Sequence, residues 1–136
     1  METITFDSDI KVFYVTAISF PDGIMEAHQK LHELIPASPD RIIFGISRPE
    51  NGQIVYRAAA EEIFQGEAER LHCETLILKK GNYISLTIHN FINDIQRIGH
   101  SFTELLSNPD IDPEGYCVEL YLNEKDVKCM IRLKDE

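Results

Sequence analysis

The chain has 136 residues, 43% hydrophobic and 26% charged, which suits one compact domain with a core of its own. Its 23 acidic and 13 basic residues leave a formal charge of −10, and its longest basic run is Lys79-Lys80; both argue against direct nucleic-acid binding and against an anionic membrane surface. No apolar run reaches transmembrane length, and the segment Met1 to Asp7 lacks a secretory pattern. Cys73, Cys117 and Cys129, odd in number and without CxxC spacing, read as free thiols in a reducing, cytoplasmic setting.

Ile10 to Phe20 is rich in Val, Ile, Phe and Tyr and predicts a strand, broken by Pro21-Asp22-Gly23 with Asp22 as a helix cap. Ala27, Leu31, Leu34 and Ile35 recur at helical spacing and predict a short amphipathic helix ended by Pro36 and Pro39. Arg41 to Ser47 and Gln53 to Glu61 predict a hairpin around Arg48-Pro49-Glu50-Asn51-Gly52. Glu61-Glu62 and the acidic stretch Glu67 to Glu69 read as a solvated loop or strand end.

Glu74 to His89 predicts a strand pair or one bent strand, with Gly81 at the turn or bulge. Phe91, Ile95, Ile98, Phe102 and Leu105 form a helical stripe capped by Asn90, and the loop Asn108 to Gly115 stops it. Tyr116 to Asn123 and Val127 to Leu133 then form a second hairpin. The order strand-helix-strand-strand thus occurs twice, in halves of about 1–66 and 67–136. It predicts a single α+β domain over 1–136, a duplicated β-α-β-β unit forming one antiparallel sheet with two helices on one face.

The strand Tyr116 to Leu122 carries the candidate site. Side chains alternate across a strand, so Cys117, Glu119 and Tyr121 share one face while Val118, Leu120 and Leu122 share the other. The apolar set, with Ile84, Leu86 and Ile88, is expected beneath the helices. Tyr83, Ser85, Thr87, Cys117, Glu119 and Tyr121 are then expected on the opposite, helix-free side, where a concave sheet lined by aromatics suits a small molecule. An acid loses hydration on burial, so a lone Glu there asks for a partner. The competing reading is an ordinary solvated face.

Three segments carry a resemblance: Tyr116-Cys117-Val118-Glu119-Leu120-Tyr121-Leu122-Asn123, Leu78-Lys79-Lys80-Gly81-Asn82-Tyr83 and Phe44-Gly45-Ile46-Ser47-Arg48-Pro49. In order and spacing the chain resembles the GyrI-like domains, the SOUL-like, AraC-type effector-binding family of transcriptional-regulator-related, multidrug-recognition modules. The resemblance implies the duplicated fold. It also implies a pocket in which Glu119 meets a lipophilic, often cationic ligand. Lys79-Lys80 departs from the small residue and proline usual before the glycine, and the chain has no Trp, which several family pockets use.

The expected ligand site is Glu119, Tyr121, Cys117, Tyr83, Ser85 and Tyr14, with each ring able to add about 0.5–2 kcal/mol of cation–π energy. His28 and His32 lie four apart but lack a third ligand and read as helix-surface or core-edge histidines, so no metal and no cofactor are expected. The expected function is a stand-alone cytoplasmic domain that captures a small amphiphilic organic ligand. No helix-turn-helix segment is left over, and a protein partner or homodimer stays open. Some relatives look like hydrolases of reactive small molecules. The alternative is therefore catalysis, with Glu119 as acid or base and Tyr121 as hydrogen-bond donor. A weaker third reading is a protein-binding module that engages a basic partner through its acidic surface.

Overall fold

The computed structural model describes residues 1–36 and 40–135. Among these residues eight strands form one curled, wholly antiparallel sheet: β1 (Glu2–Phe6), β2 (Ile10–Thr16), β3 (Ile43–Glu50), β4 (Gln53–Glu61), β5 (Glu74–Leu78), β6 (Gly81–Ile88), β7 (Cys117–Tyr121) and β8 (Val127–Arg132). Their order across the sheet is β1-β6-β8-β7-β3-β4-β2-β5. Among the described residues three α-helices accompany it: α1 (Ile24–Leu34), α2 (Glu67–Arg70) and α3 (Gln96–Leu106). Among the described residues no helix is long and apolar enough to cross a membrane.

The apolar spacing of the sequence explains where the long helices pack. α1 buries Ala27 and Leu31 against Phe13, Ala58 and Ala60, whose small alanines let the helix sit close to β2 and β4. α3 buries Phe102 and Leu105 against Ile84, Ile88, Cys129 and Ile131 of β6 and β8. Both helices therefore cover the same face, one toward each end, and leave β7 and β3 between them.

The other face is not left open. Ile4 and Phe6 of edge strand β1, and Leu76 and Leu78 of edge strand β5, belong to one cluster with Phe44, Ile46, Val118 and Met130. The sheet curls until its edges meet over that side and bury it.

Several local expectations change. Asp22 does not cap α1; the cap position is Gly23 and makes no side-chain bond. The helix ends before Pro36, and Pro39 lies outside the described residues. Asn51 and Gly52, both with positive φ, turn the β3–β4 hairpin, so the strands run longer than expected. Asn90, also with positive φ, opens a short 3-10 turn at Phe91–Asn93, and the α-helix begins later. β5 and β6 do not pair with each other: β5 borders β2, and β6 lies between β1 and β8.

Glu67 to Glu69 form the start of α2 rather than a solvated loop or strand end. Glu67 is buried, and its two carboxylate oxygens accept from Arg41 Nη1 and Nη2 at 2.8 Å each. A buried partner 26 residues away turns an apparently solvent-loving acid inward. Edge strand β1, which no sequence pattern announced, pairs with β6 from Glu2↔Ser85 to Phe6↔Gly81.

Candidate functional site

The face of β7 is the reverse of the expected one. Cys117 and Tyr121 pack in the α3-side cluster, whereas Val118 and Leu120 pack in the cluster closed by the sheet's own curl. The reason is that this protein has a core on each face. Two apolar residues on β7 do not reveal which core they fill.

Glu119 lies at the floor of a cleft between α1 and α3, and is only 7% exposed. The cleft is open to solvent and has a volume of about 1900 Å³. On one side stand Phe20, Ile24 and Met25; on the other, Phe91, Ile92 and Ile95. Met25, Ile92 and Ile95 are 72%, 63% and 60% exposed, an apolar lining that water now covers.

Two phenols converge on one carboxylate oxygen. Tyr121 Oη donates to Glu119 Oε1 at 2.5 Å and Tyr56 Oη donates to the same atom at 3.1 Å. Tyr121 comes from the same strand two residues on, whereas Tyr56 reaches across from β4. His28 Nε2 lies 2.9 Å from Tyr56 Oη. A phenol has a single hydrogen, so with that hydrogen on Glu119 the imidazole presents its Nε2–H to the phenol oxygen. The His28 ring also meets both tyrosines edge-on, with centroids at 5.8 and 5.4 Å.

The electrostatics follow from burial. The Glu119 carboxyl is pushed above its ordinary range by loss of hydration, against the pull of its two phenol bonds. Burial and then the Glu119 charge push the Tyr56 and Tyr121 hydroxyls well above the usual phenol range, so both remain donors. Burial, aided by His32, holds His28 down to about 4 and keeps it neutral. Burial raises the Cys117 thiol to about 11, with Glu119 adding to the effect, which makes it a neutral wall of the cleft rather than a nucleophile. Among the described residues no Lys, Arg or His lies within ion-pair distance of Glu119, and no described hydrogen bond reaches its second oxygen, Oε2.

The structure therefore brings Glu119, Tyr121 and Cys117 together and sets the other three expected residues apart. Tyr83 lies on the curled side, packs on Phe6 at 4.7 Å and donates to the Lys79 carbonyl at 2.7 Å. Ser85 is fully buried there and donates to the Glu2 carbonyl. Tyr14, on the same side, donates to Glu74 beneath the Arg57 guanidinium.

Tyr56 joins the site without having been singled out by sequence, and His28, read there as a helix-surface or core-edge histidine, joins it too. A signal for each exists. Tyr56 precedes Ala58 and Ala60 on its own face, small residues that leave room for a ring. His28 interrupts the apolar stripe Ile24, Ala27, Leu31 and Ile35 on α1.

No protein-family model and no curated protein matches the chain by sequence. Solved structures share its fold. An integron cassette protein from the mobile metagenome of Vibrio cholerae superposes with a TM-score of 0.70 at 11% identity, over 98% of this chain and 95% of that one. SAV2435, solved bound to tetraphenylphosphonium, gives 0.65 at 9% identity over 98% and 93%. A hydrolase from Listeria innocua gives 0.56 at 11% identity over 98% and 90%. At these identities the likeness is one of fold.

Proposed function

We propose that this chain is a GyrI-like small-molecule-binding domain that captures an amphiphilic organic cation in the cleft between α1 and α3. The observation that carries this reading is an acid at an apolar floor without a cationic partner among the described residues. An incoming cation supplies the missing charge at Glu119, and the exposed apolar walls take up the rest of the ligand. The hydroxyls of Tyr56 and Tyr121 hold the carboxylate in place rather than neutralise it. The fold likeness to a protein solved with a lipophilic cation supports the reading. So does the strand order, in which β6-β8-β7 and β3-β4-β2 read as two β-α-β-β units side by side. In this role the domain is a sensor or a sink for its ligand.

The test is calorimetric titration with tetraphenylphosphonium, repeated with Glu119→Gln. Binding by the native protein and at least a tenfold loss in the variant, about 1.4 kcal/mol, are expected. Equal affinity in both would remove Glu119 from the mechanism.

A second reading rests on the 2.5 Å bond between Tyr121 and a carboxyl that burial pushes above its ordinary range. That pair can exchange a proton with a substrate, as a hydrolase requires. Mass spectrometry of recovered ligand separates the two readings: intact compound means binding alone, and a product of added water means catalysis.

A further inference from the structure

We infer that Gly45 is a positioning residue of this site: its missing side chain is the notch in β3 through which the Tyr56 phenol crosses to Glu119. This rests on the binding role proposed for Glu119 and extends it to a residue with no polar side chain of its own.

The register sets the problem. Gly45 pairs with Glu119 of β7 on one side and with Ala58 of β4 on the other. Tyr56 stands two residues from Ala58, on the same face, opposite Ser47. Two strands that flank a third are roughly 10 Å apart, twice the usual spacing. A 3.1 Å bond between their side chains therefore has to pass directly over the strand between them. At position 45 a Cβ would stand 2.7 Å from Glu119 Oε1 and 2.8 Å from Tyr56 Cζ, and closer still to the phenol oxygen. The ring has little freedom to yield. Tyr56 is 1% exposed and lies between His28 and Phe20, with centroids at 5.8 and 6.2 Å.

Backbone conformation does not explain the glycine. The glycines with positive φ are Gly52, Gly66 and Gly81, and Gly45 is not among them. Alanine fits the strand backbone there, and glycine in a strand interior weakens it. What remains is space, and the space is filled by the two groups that define the site.

The experiment is a double-mutant cycle on the full chain with Gly45→Ala, Tyr56→Phe and both, titrated with tetraphenylphosphonium. Gly45→Ala is expected to lose at least tenfold in affinity in the native background and less than threefold in the Tyr56→Phe background, where the nearest opposing atom is gone and the Tyr56–Glu119 bond that the methyl would break is already absent. Equal losses in the two backgrounds, or no loss in Gly45→Ala, would overturn the inference. Should Gly45→Ala fail to fold, recovery of folding by Tyr56→Leu, which removes the ring, is expected, and a double variant that stays unfolded counts against the notch.

A ligand-free readout separates this inference from the binding role. In protein labelled with ¹³C at glutamate carboxyls, Gly45→Ala and Tyr56→Phe should each shift the Glu119 titration upward, with little further change in the double variant. If native protein binds no tetraphenylphosphonium yet this pattern holds, the proposed function fails and the notch stands. A Glu119 titration in Gly45→Ala identical to the native one overturns the notch whatever the binding result.

Discussion

Glu119 and Tyr121 sit two residues apart on β7, point to the same face, and are joined by a 2.5 Å hydrogen bond from the phenol to Oε1. The period of the strand is enough to bring them together. The curl of the sheet and the gap between α1 and α3 turn that pair into the floor of a cleft.

Cation binding should depend on pH in a defined direction. Burial raises the Glu119 carboxyl and so favours its uncharged form, whereas a permanent cation needs the carboxylate. Affinity for tetraphenylphosphonium is expected to rise with pH, by up to about tenfold per unit, and to level off above the folded-state value. Without ligand the sign is opposite. A raised acid contributes stability that is complete below its ordinary value of 4.5 and is lost as pH rises through the folded one. Titrations at several pH values check both, and Glu119→Gln should flatten them.

His28 predicts an acid limb of the stability curve. Its folded imidazole titrates at about 4 against 6.5 for a free one, so the fold favours the neutral ring. That contribution is complete above pH 6.5 and is lost as pH falls toward 4, at most about 3 kcal/mol. Melting temperatures from pH 7 to 4.5 should fall less steeply in His28→Phe, which keeps a ring against Tyr56 and Tyr121. Parallel curves for the two proteins would show that His28 is not the group that titrates.

The Arg41–Glu67 pair, whose Arg41 also lines the cleft, predicts a large stability loss. Both side chains are 4% exposed and bonded through two 2.8 Å contacts, and Arg41 holds the Glu67 carboxyl below its ordinary range. Glu67→Gln leaves a buried guanidinium without its counter-charge and should cost about 3–5 kcal/mol in urea denaturation. Replacing both by apolar residues, Arg41→Met with Glu67→Leu, should cost less than either single change. A Glu67→Gln variant with native stability would mean that solvent reaches the pair.

Much of the local structure was legible because it depends on near neighbours. The alternation in Cys117, Glu119 and Tyr121 correctly gave one shared face, and the Phe102 and Leu105 stripe gave a packed helix. Segments whose order depends on distant partners were not legible. β1 becomes a strand only because β6 offers it an edge, and Glu67 turns inward only because Arg41 is there. Alternation groups Tyr83 and Ser85 with Glu119, and Tyr14 is expected beside them as a further ring. They lie on the helix-free side, while β7 turns Glu119 to the helix side.

The sequence by itself determined the α+β composition, two of the helices, and which side chains of β7 stand together, because periodicities of 3.6 and 2 are properties of a single segment. Only the tertiary structure decided which side of the sheet holds the hollow, and that Tyr56 and His28 meet Glu119 there. The physical reason is that a curled sheet has two apolar interiors. A strand's hydrophobic face is equally at home in either, until the remaining strands and helices have taken their places.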